Sequence, residues 1–406
     1  MRTSGLSQQT RREFCTKVAG GVAALGIPGR FTFVQPSEKK LRVAIVGGNF
    51  GSTFHFHEHP NCIVEAVSDL RPERRGHLME TYQCAKSYDS LEKLVLDPKI
   101  EAVFIATPGP DHLRHVMLAM KAGKHVMCAV PAVWGSLEEC EKLLRVVKST
   151  GLVYMMAETS YYHQAMISVR RFYKEGKFGN IFYTEAEYHH DGLEELFFED
   201  GQRTWRHGMA PMHYPTHCTS MLIGLTGERL KEVTCIGWGD DDPILKDNAY
   251  NNPFWNETAL FKTDRGNALR VAIFWKGAHK VTERAQWYGD KMSFFEPHPH
   301  GPGHIIIRRE RQTEVDEKGK VRYLPQFEKY EQPQYWETDM LPPLMRHYSY
   351  HDGSHTFLTH EFVEAVLNNR RPTIDVYEAI AYTAPGIVAH ESALKGGLQM
   401  KIPQFD

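Results

Sequence analysis

An apolar run, Leu41 to Val46, leads directly into Gly47-Gly48-Asn49-Phe50-Gly51-Ser52, and a second, Ile63 to Ser68, ends at Asp69, 22 residues after Gly47. This pairing of buried strand, glycine turn and strand-end acid constrains the fold more than any other feature of the chain. Small residues let backbone amides approach a pyrophosphate, the N-terminus of a following helix favours its charge, and the acid binds ribose hydroxyls. The spacing predicts the first βαβ unit of a dinucleotide-binding domain. In the G-x-G-x-x-G frame Gly47 fits, while Asn49 and Ser52 stand in for the second and third glycines. Asparagine tolerates positive φ better than most residues, so the turn can survive the replacement.

The alternation continues with strand Glu101 to Ala106, loop Thr107-Pro108-Gly109-Pro110-Asp111, helix His112 to Ala122, strand His125 to Val130, helix Ser136 to Ser149 and strand Leu152 to Ala157. Strands and helices in this order imply a parallel sheet covered on both faces, with ligands beyond the strand C-termini. Those termini carry Gly47, Asp69, Thr107, Ala129 and Glu158. From Asn180 the strands lengthen: Ile181 to Tyr188, Leu230 to Gly237, Glu257 to Lys262 and Ala268 to Trp275. Such strands predict an open, mostly antiparallel sheet with one face buried and the other free for a homo-oligomer interface or a substrate wall. Glu296 to Pro302 and Glu314 to Lys320 read as loops, and Phe357 to Leu367 and Tyr377 to Leu394 as closing helices. The expected fold is α/β, a Rossmann domain over 39–160 followed by an α+β domain over 161–406.

A chain of 406 residues is too long for one ordinary domain, and 42% hydrophobic with 24% charged residues supplies ample core. A net charge of −2 argues against electrostatic coating of nucleic acid or anionic membrane. No run reaches the ~18–20 apolar residues of a membrane span. The seven cysteines (15, 62, 84, 128, 140, 218, 235) show no paired spacing, which predicts single buried thiols. Residues 1–38, with Arg11-Arg12-Glu13-Phe14 before a weakly apolar stretch and Pro28-Gly29, look like a twin-arginine export signal, implying a periplasmic or exported protein.

The phrases Ile105-Ala106-Thr107-Pro108 with His112, Ala122-Gly123-Lys124-His125-Val126, Phe362-Val363-Glu364-Ala365-Val366, Arg371-Pro372 and Ser392-Ala393 resemble the Gfo/Idh/MocA family of nicotinamide-dependent sugar oxidoreductases. That family usually carries Glu-Lys-Pro after the fourth strand and an Asp/His pair four residues apart. Here the first stretch is Ala129-Val130-Pro131, and the pair is His213 and His217. Glu158, Tyr188-His189-His190-Asp191, Trp205-Arg206 and Tyr214-Pro215-Thr216-His217 are similar to one branch, the NAD-dependent α-N-acetylgalactosaminidases. The resemblance implies bound, recycled NAD and redox-assisted glycoside hydrolysis, with a net NAD(P)-dependent sugar dehydrogenase or a non-catalytic, cofactor-retaining sugar-binding protein as alternatives.

Oxidising a ring hydroxyl needs a base while hydride leaves, and the resulting ketone acidifies the neighbouring C–H for a second base. His217, at its ordinary pKa of ~6.5, suits the first step. Tyr188 or Glu158 suits the second if burial or charge shifts its pKa. Arg206, Tyr214 and Thr216 are candidate substrate contacts. Gly47, Gly48, Asn49, Phe50, Gly51, Asp69, Thr107, Pro108, His112, Ala129 and Thr159 are candidate cofactor contacts. Asp69 favours NAD over NADP by repelling a 2′-phosphate, with Arg71 as a partial offset. His189, His190, Asp191, His213 and His217 raise a metal alternative, weakened because Pro215 leaves His213 outside the helix; no metal is expected.

Overall fold

The computed structural model describes residues 39–405 except 191–192, 240–241, 279–280, 300, 311–312 and 325. The segment expected to be a twin-arginine signal, Cys15 and Asp191 lie outside the described residues. The first sheet is parallel: β1 (Leu41–Val46), β2 (Cys62–Ser68), β3 (Ser87–Tyr88), β4 (Ala102–Ile105), β5 (His125–Cys128) and β6 (Tyr154–Met156), in the order β3-β2-β1-β4-β5-β6. β1 and β4 are almost wholly buried, as expected for strands covered on both faces. Around them lie α1 (Pro72–Thr81), α2 (Leu91–Leu94), α3 (His112–Lys121) and α4 (Leu137–Thr150).

One expectation fails at the first crossover. No α-helix follows the glycine turn; two 3-10 turns, Phe50–Thr53 and Phe56–Glu58, connect β1 to β2, with His55 between them in the left-handed region (φ 54°). The segment holds three phenylalanines, three histidines and Pro60 within about three turns of chain, and aromatic residues and proline are poor helix formers in so short a crossover. Its aromatics are used for burial instead, with Phe54 and Phe56 fully buried. The positive φ also falls elsewhere than expected: Gly47 takes φ +106° while Asn49 stays at φ −92°.

After α5 (Gln164–Lys174) the second sheet begins with β7 (Ile181–His189). A hairpin, β8 (Phe198–Glu199) and β9 (Gln202–Arg203), and α6 (Thr216–Thr226) precede β10 (Leu230–Trp238), β11 (Asn256–Thr263), β12 (Ala268–Phe274), β13 (Thr282–Gly289), β14 (Met292–Phe295) and β15 (His304–Arg308). A second hairpin, β16 (Thr313–Val315) and β17 (Val321–Tyr323), then β18 (Phe327–Tyr330), α7 (Tyr350–Leu367), α8 (Val376–Leu394) and β19 (Met400–Lys401) complete the chain. The nine-stranded order is β18-β15-β14-β13-β7-β12-β11-β10-β19, antiparallel except for β12 against β7. Hairpin β16–β17 replaces part of the loop expected over Glu314 to Lys320, because Asp316 accepts amides of Lys318 and Lys320 to build a tight turn.

The inner face of this sheet packs on α6, with Trp287 Nε1 donating to the Met221 carbonyl (2.9 Å). Helices α7 and α8 also reach the first sheet: Thr359 Oγ1 donates to the Phe54 carbonyl, and the Ala132 amide donates to Thr383 Oγ1 (3.3 Å). All six described cysteines are free and buried. No helix among the described residues is long and apolar enough to cross a membrane.

Candidate active site

Two adjoining cavities lie beyond the C-terminal ends of the parallel strands. The outer one, about 890 Å³, is lined by Gly47, Gly48, Asn49, Asp69, Arg71, Arg74, Thr107, Pro108 and His115, and roofed by the β8–β9 hairpin. A Cβ on Gly47 would lie 2.3 Å from the Ala106 carbonyl oxygen, and one on Gly48 would meet Arg74 Cβ at 2.6 Å. Only glycine permits this approach of backbone to helix and strand. Asp69 braces the turn, its Oδ2 accepting the Gly48 amide (2.6 Å) and its Oδ1 the Arg71 amide (2.8 Å). Arg71 pairs with Glu199 of β8, Nη1 to Oε1 at 2.6 Å. A bare glycine floor, a strand-end carboxylate and a long groove fit a dinucleotide.

The inner cavity, about 350 Å³, shares Asn49, Ala106, Thr107, Trp205 and Arg206 with the outer one. Its walls include Phe50, Ala129, Tyr188, His190, Tyr214, His217, Trp275, Tyr350 and His351. His217, on the first turn of α6, is 4% exposed and turns Nδ1 away from the cavity into a charged cluster. That nitrogen is 2.9 Å from Glu158 Oε1, 3.2 Å from Ser160 Oγ and 3.3 Å from Glu283 Oε1. Burial alone would lower the imidazole's pKa, but Glu158 and Glu283 together hold it well above its ordinary value. Glu283 also takes a hydrogen bond from Ser160 and lies 3.2 Å from His163 Nε2; against the cost of burial, His163 and His217 keep it well below the usual carboxylate range. Glu158 is fully buried, its second oxygen without a hydrogen-bond partner among the described residues.

Across the cavity Tyr188, from the end of β7, packs its ring 4.6 Å from that of His217. Burial pushes its phenol well above the ordinary value, and Arg206 is the charge that opposes the shift. Arg206 stacks on Trp205 at 4.2 Å, and its guanidinium meets no carboxylate among the described residues. Burial lowers its pKa. A largely buried cation facing a cavity suits an oxygen-rich ligand. His351 closes the third wall in the left-handed region (φ 50°), its Nδ1 2.9 Å from His355 Nε2, while His355 Nδ1 donates to the Thr53 carbonyl (3.1 Å). Burial lowers the His351 pKa to about 4.

Of the residues singled out in the sequence, the cavity walls receive Gly47, Gly48, Asn49, Phe50, Asp69, Arg71, Thr107, Pro108, Ala129, Tyr188, His190, Trp205, Arg206, Tyr214 and His217. The others lie behind them. Gly51 is buried under Ile45, and His112 staples two loops by contacting the Thr107 and Pro131 carbonyls at 2.9 and 2.7 Å. Thr159 sits 3.4 Å from His217 Nδ1, and Thr216 is fully buried. Glu158 acts through His217. The histidines of the metal alternative do not converge: His189 stacks on Phe274 (4.2 Å), and His213 packs against His390 (4.8 Å).

Glu283, His163 and His351 were missed. Glu283 carried a signal, since positions 283, 285 and 287 form the inward stripe of β13, and a carboxylate beside Ala285 and Trp287 in that stripe demands a partner. His163 lies in the turn before α5 and His351 in the non-helical first turn of α7, where no period marks them.

Residues 41–158 match the oxidoreductase family with an NAD-binding Rossmann fold, and residues 304–406 match the C-terminal domain of glycosyl hydrolase 109. The chain belongs to the Gfo/Idh/MocA family. It is 25% identical to a glycosyl hydrolase family 109 protein of Solibacter usitatus, over 78% of this chain and 74% of that one. It is 22% identical to an α-N-acetylgalactosaminidase of Tannerella forsythia, over 98% and 97%. Among solved structures, levoglucosan dehydrogenase in complex with NADH and L-sorbose superposes with a TM-score of 0.71 at 18% identity, covering 90% of this chain and all of that one. The chain is therefore an NAD-dependent enzyme of this oxidoreductase family, resembling its glycosidase members.

Proposed function

We propose that this enzyme hydrolyses a glycosidic bond by transiently oxidising the sugar, with NAD held and recycled. The observation that carries the reading is His217: one ring nitrogen is committed to Glu158, which leaves the other for a cavity that adjoins the dinucleotide groove. NAD, held along the groove lined by Gly47, Gly48 and Asp69, would supply the hydride acceptor and donor. Neutral His217 takes the proton of the ring hydroxyl, and Glu158 and Glu283 stabilise the imidazolium that results. Arg206 binds the oxygen that becomes a carbonyl, next to Tyr188; burial keeps that phenol protonated, so it takes the proton of the neighbouring carbon only as the phenolate that Arg206 favours. The proton taken from carbon would leave on the glycosidic oxygen, water would add across the double bond so formed, and the returned hydride would restore the alcohol, so that the cycle balances as hydrolysis. The Ala129-Val130 wall, where a net dehydrogenase of this family carries lysine, supports cleavage over net oxidation.

Asp69 supports NAD over NADP, because Glu199 already engages the nearby Arg71. The Arg11-Arg12 segment supports export of the folded, cofactor-loaded chain.

The test is incubation of purified protein with aryl and natural α- and β-glycosides, recording released sugar and absorbance at 340 nm together. Sugar release without net NADH and without added NAD is expected. Stoichiometric NADH without cleavage would replace the proposal with a dehydrogenase. His217→Ala should lower turnover by roughly 10²–10⁴-fold while NAD stays bound.

A further inference from the structure

Outside the cavity, residues 55–59 read His-Phe-His-Glu-His. Three imidazoles surround one carboxylate here: His55 Nδ1 is 3.2 Å from Glu58 Oε1, His57 Nε2 is 3.9 Å from the same oxygen, and His347 Nε2 is 2.5 Å from Oε2. The donor atoms of His55, Glu58 and His347 all lie within 4.8 Å of one another. Four-coordinate zinc, with bonds of about 2.0–2.1 Å to nitrogen, holds its ligand atoms about 3.4 Å apart. The side chains are a quarter to a third exposed, so an ion can enter from solvent.

The orientation of His347 supplies a second, independent observation. Its Nδ1 lies 3.0 Å from the Tyr348 carbonyl, which can only accept, so that nitrogen carries a proton. Nε2 is therefore the ring atom turned to Glu58; without an ion a shared proton satisfies the 2.5 Å contact with Oε2, and a bound cation would displace that proton and hold the two atoms farther apart. A backbone carbonyl fixing the far nitrogen is the usual support of a metal-bound histidine. The nearby pair His59 and His360 differs. The Asn61 amide donates to His59 Nδ1 (3.1 Å), leaving Nε2–H to donate to His360 Nδ1 (3.0 Å), and the pair is satisfied without an ion.

We propose that His55, Glu58 and His347 bind a divalent cation of the zinc class. Imidazoles with one carboxylate suit zinc, whereas calcium and magnesium prefer all-oxygen sets. The ion ties the turn after Phe50–Thr53 to the loop entering α7, and both segments contribute cavity walls through Phe50, Thr53, Tyr350 and His351. The site stands independently of the sugar chemistry.

The test uses untagged full-length protein stripped with EDTA and titrated with Zn²⁺ against a chromophoric chelator, with thermal melts alongside. One Zn²⁺ per chain and a raised Tm are expected. His347→Ala and Glu58→Gln should each weaken binding at least tenfold, of the order that loss of metal-site support costs. Both should melt like the parent in EDTA. Glu283→Gln, in the other His/Glu cluster, should bind as the parent does. Absence of stoichiometric zinc would overturn the site and leave a His347–Glu58 ion pair only. Full binding in both ligand variants, or loss in Glu283→Gln alone, would overturn it too.

Discussion

His217 carries two carboxylates on one ring nitrogen, and this sets how the enzyme responds to pH. As the expected base it must be neutral, yet Glu158 and Glu283 hold its proton. The acid limb of kcat/KM should therefore have its midpoint above the ordinary ~6.5. Glu283→Gln removes one of the two attractions and should move that limb to lower pH. An unmoved limb would assign the titration to another group. The same pairs shape stability. The raised His217 pKa contributes fully below the unfolded value of ~6.5 and is lost as pH rises through the folded value. The lowered Glu283 pKa contributes fully above ~4.3 and is lost as pH falls through its folded value. The Tm deficit of Glu283→Gln should thus be largest between about pH 4.3 and 6.5, as differential scanning calorimetry across that range would show. Sequence reasoning found His217, Tyr188, Glu158 and Arg206 through their motifs. It took His217 at its ordinary pKa because the second carboxylate arrives from β13, 66 residues away.

At the scale of elements, the βα alternation was legible because parallel strands are short, apolar and bounded by turn residues. The failed helix after β1 shows what periodicity cannot read: a crossover can be filled by aromatics packing individually. That crossover lacks a helix N-terminus to attract phosphate charge, so the glycine turn itself carries the cofactor's approach. Gly47→Ala places a methyl against the Ala106 carbonyl in a left-handed conformation. It should abolish NAD retention and destabilise the fold by roughly 1–3 kcal/mol, read from bound-cofactor absorbance and denaturant melts. The β8–β9 hairpin offers a gentler test. Glu199 links it to Arg71 and, at 3.5 Å, to Arg74 across the groove. Glu199→Ala should speed NAD release a few-fold with Tm unchanged, since both partners are nearly half exposed and screened. Equal release rates in the two proteins would show that the hairpin does not latch the groove.

Across the whole molecule, the inward face of the nine-stranded sheet is consumed by α6 and the inner cavity, which leaves the outward face to be explained. Alternation puts Ile236, Trp238 and Leu260 outward, 40–53% exposed. Beside them runs a charged ladder: Arg270 bridges Glu185 and Glu187 at 3.2 and 2.8 Å, and Arg284 meets Glu187 at 2.8 Å. Apolar side chains around paired charges resemble the centre of a subunit interface more than a solvated sheet. A two-fold pairing of this face would cover them, because a closed dimer sets the same patch against itself. Light scattering after size exclusion should give twice the 46.6 kDa chain mass, less any segment removed on export. Leu260→Lys with Ile236→Lys should halve it while leaving the first sheet and its bound cofactor intact. A parent that elutes as a monomer would return this face to solvent or to a substrate too large for the cavity.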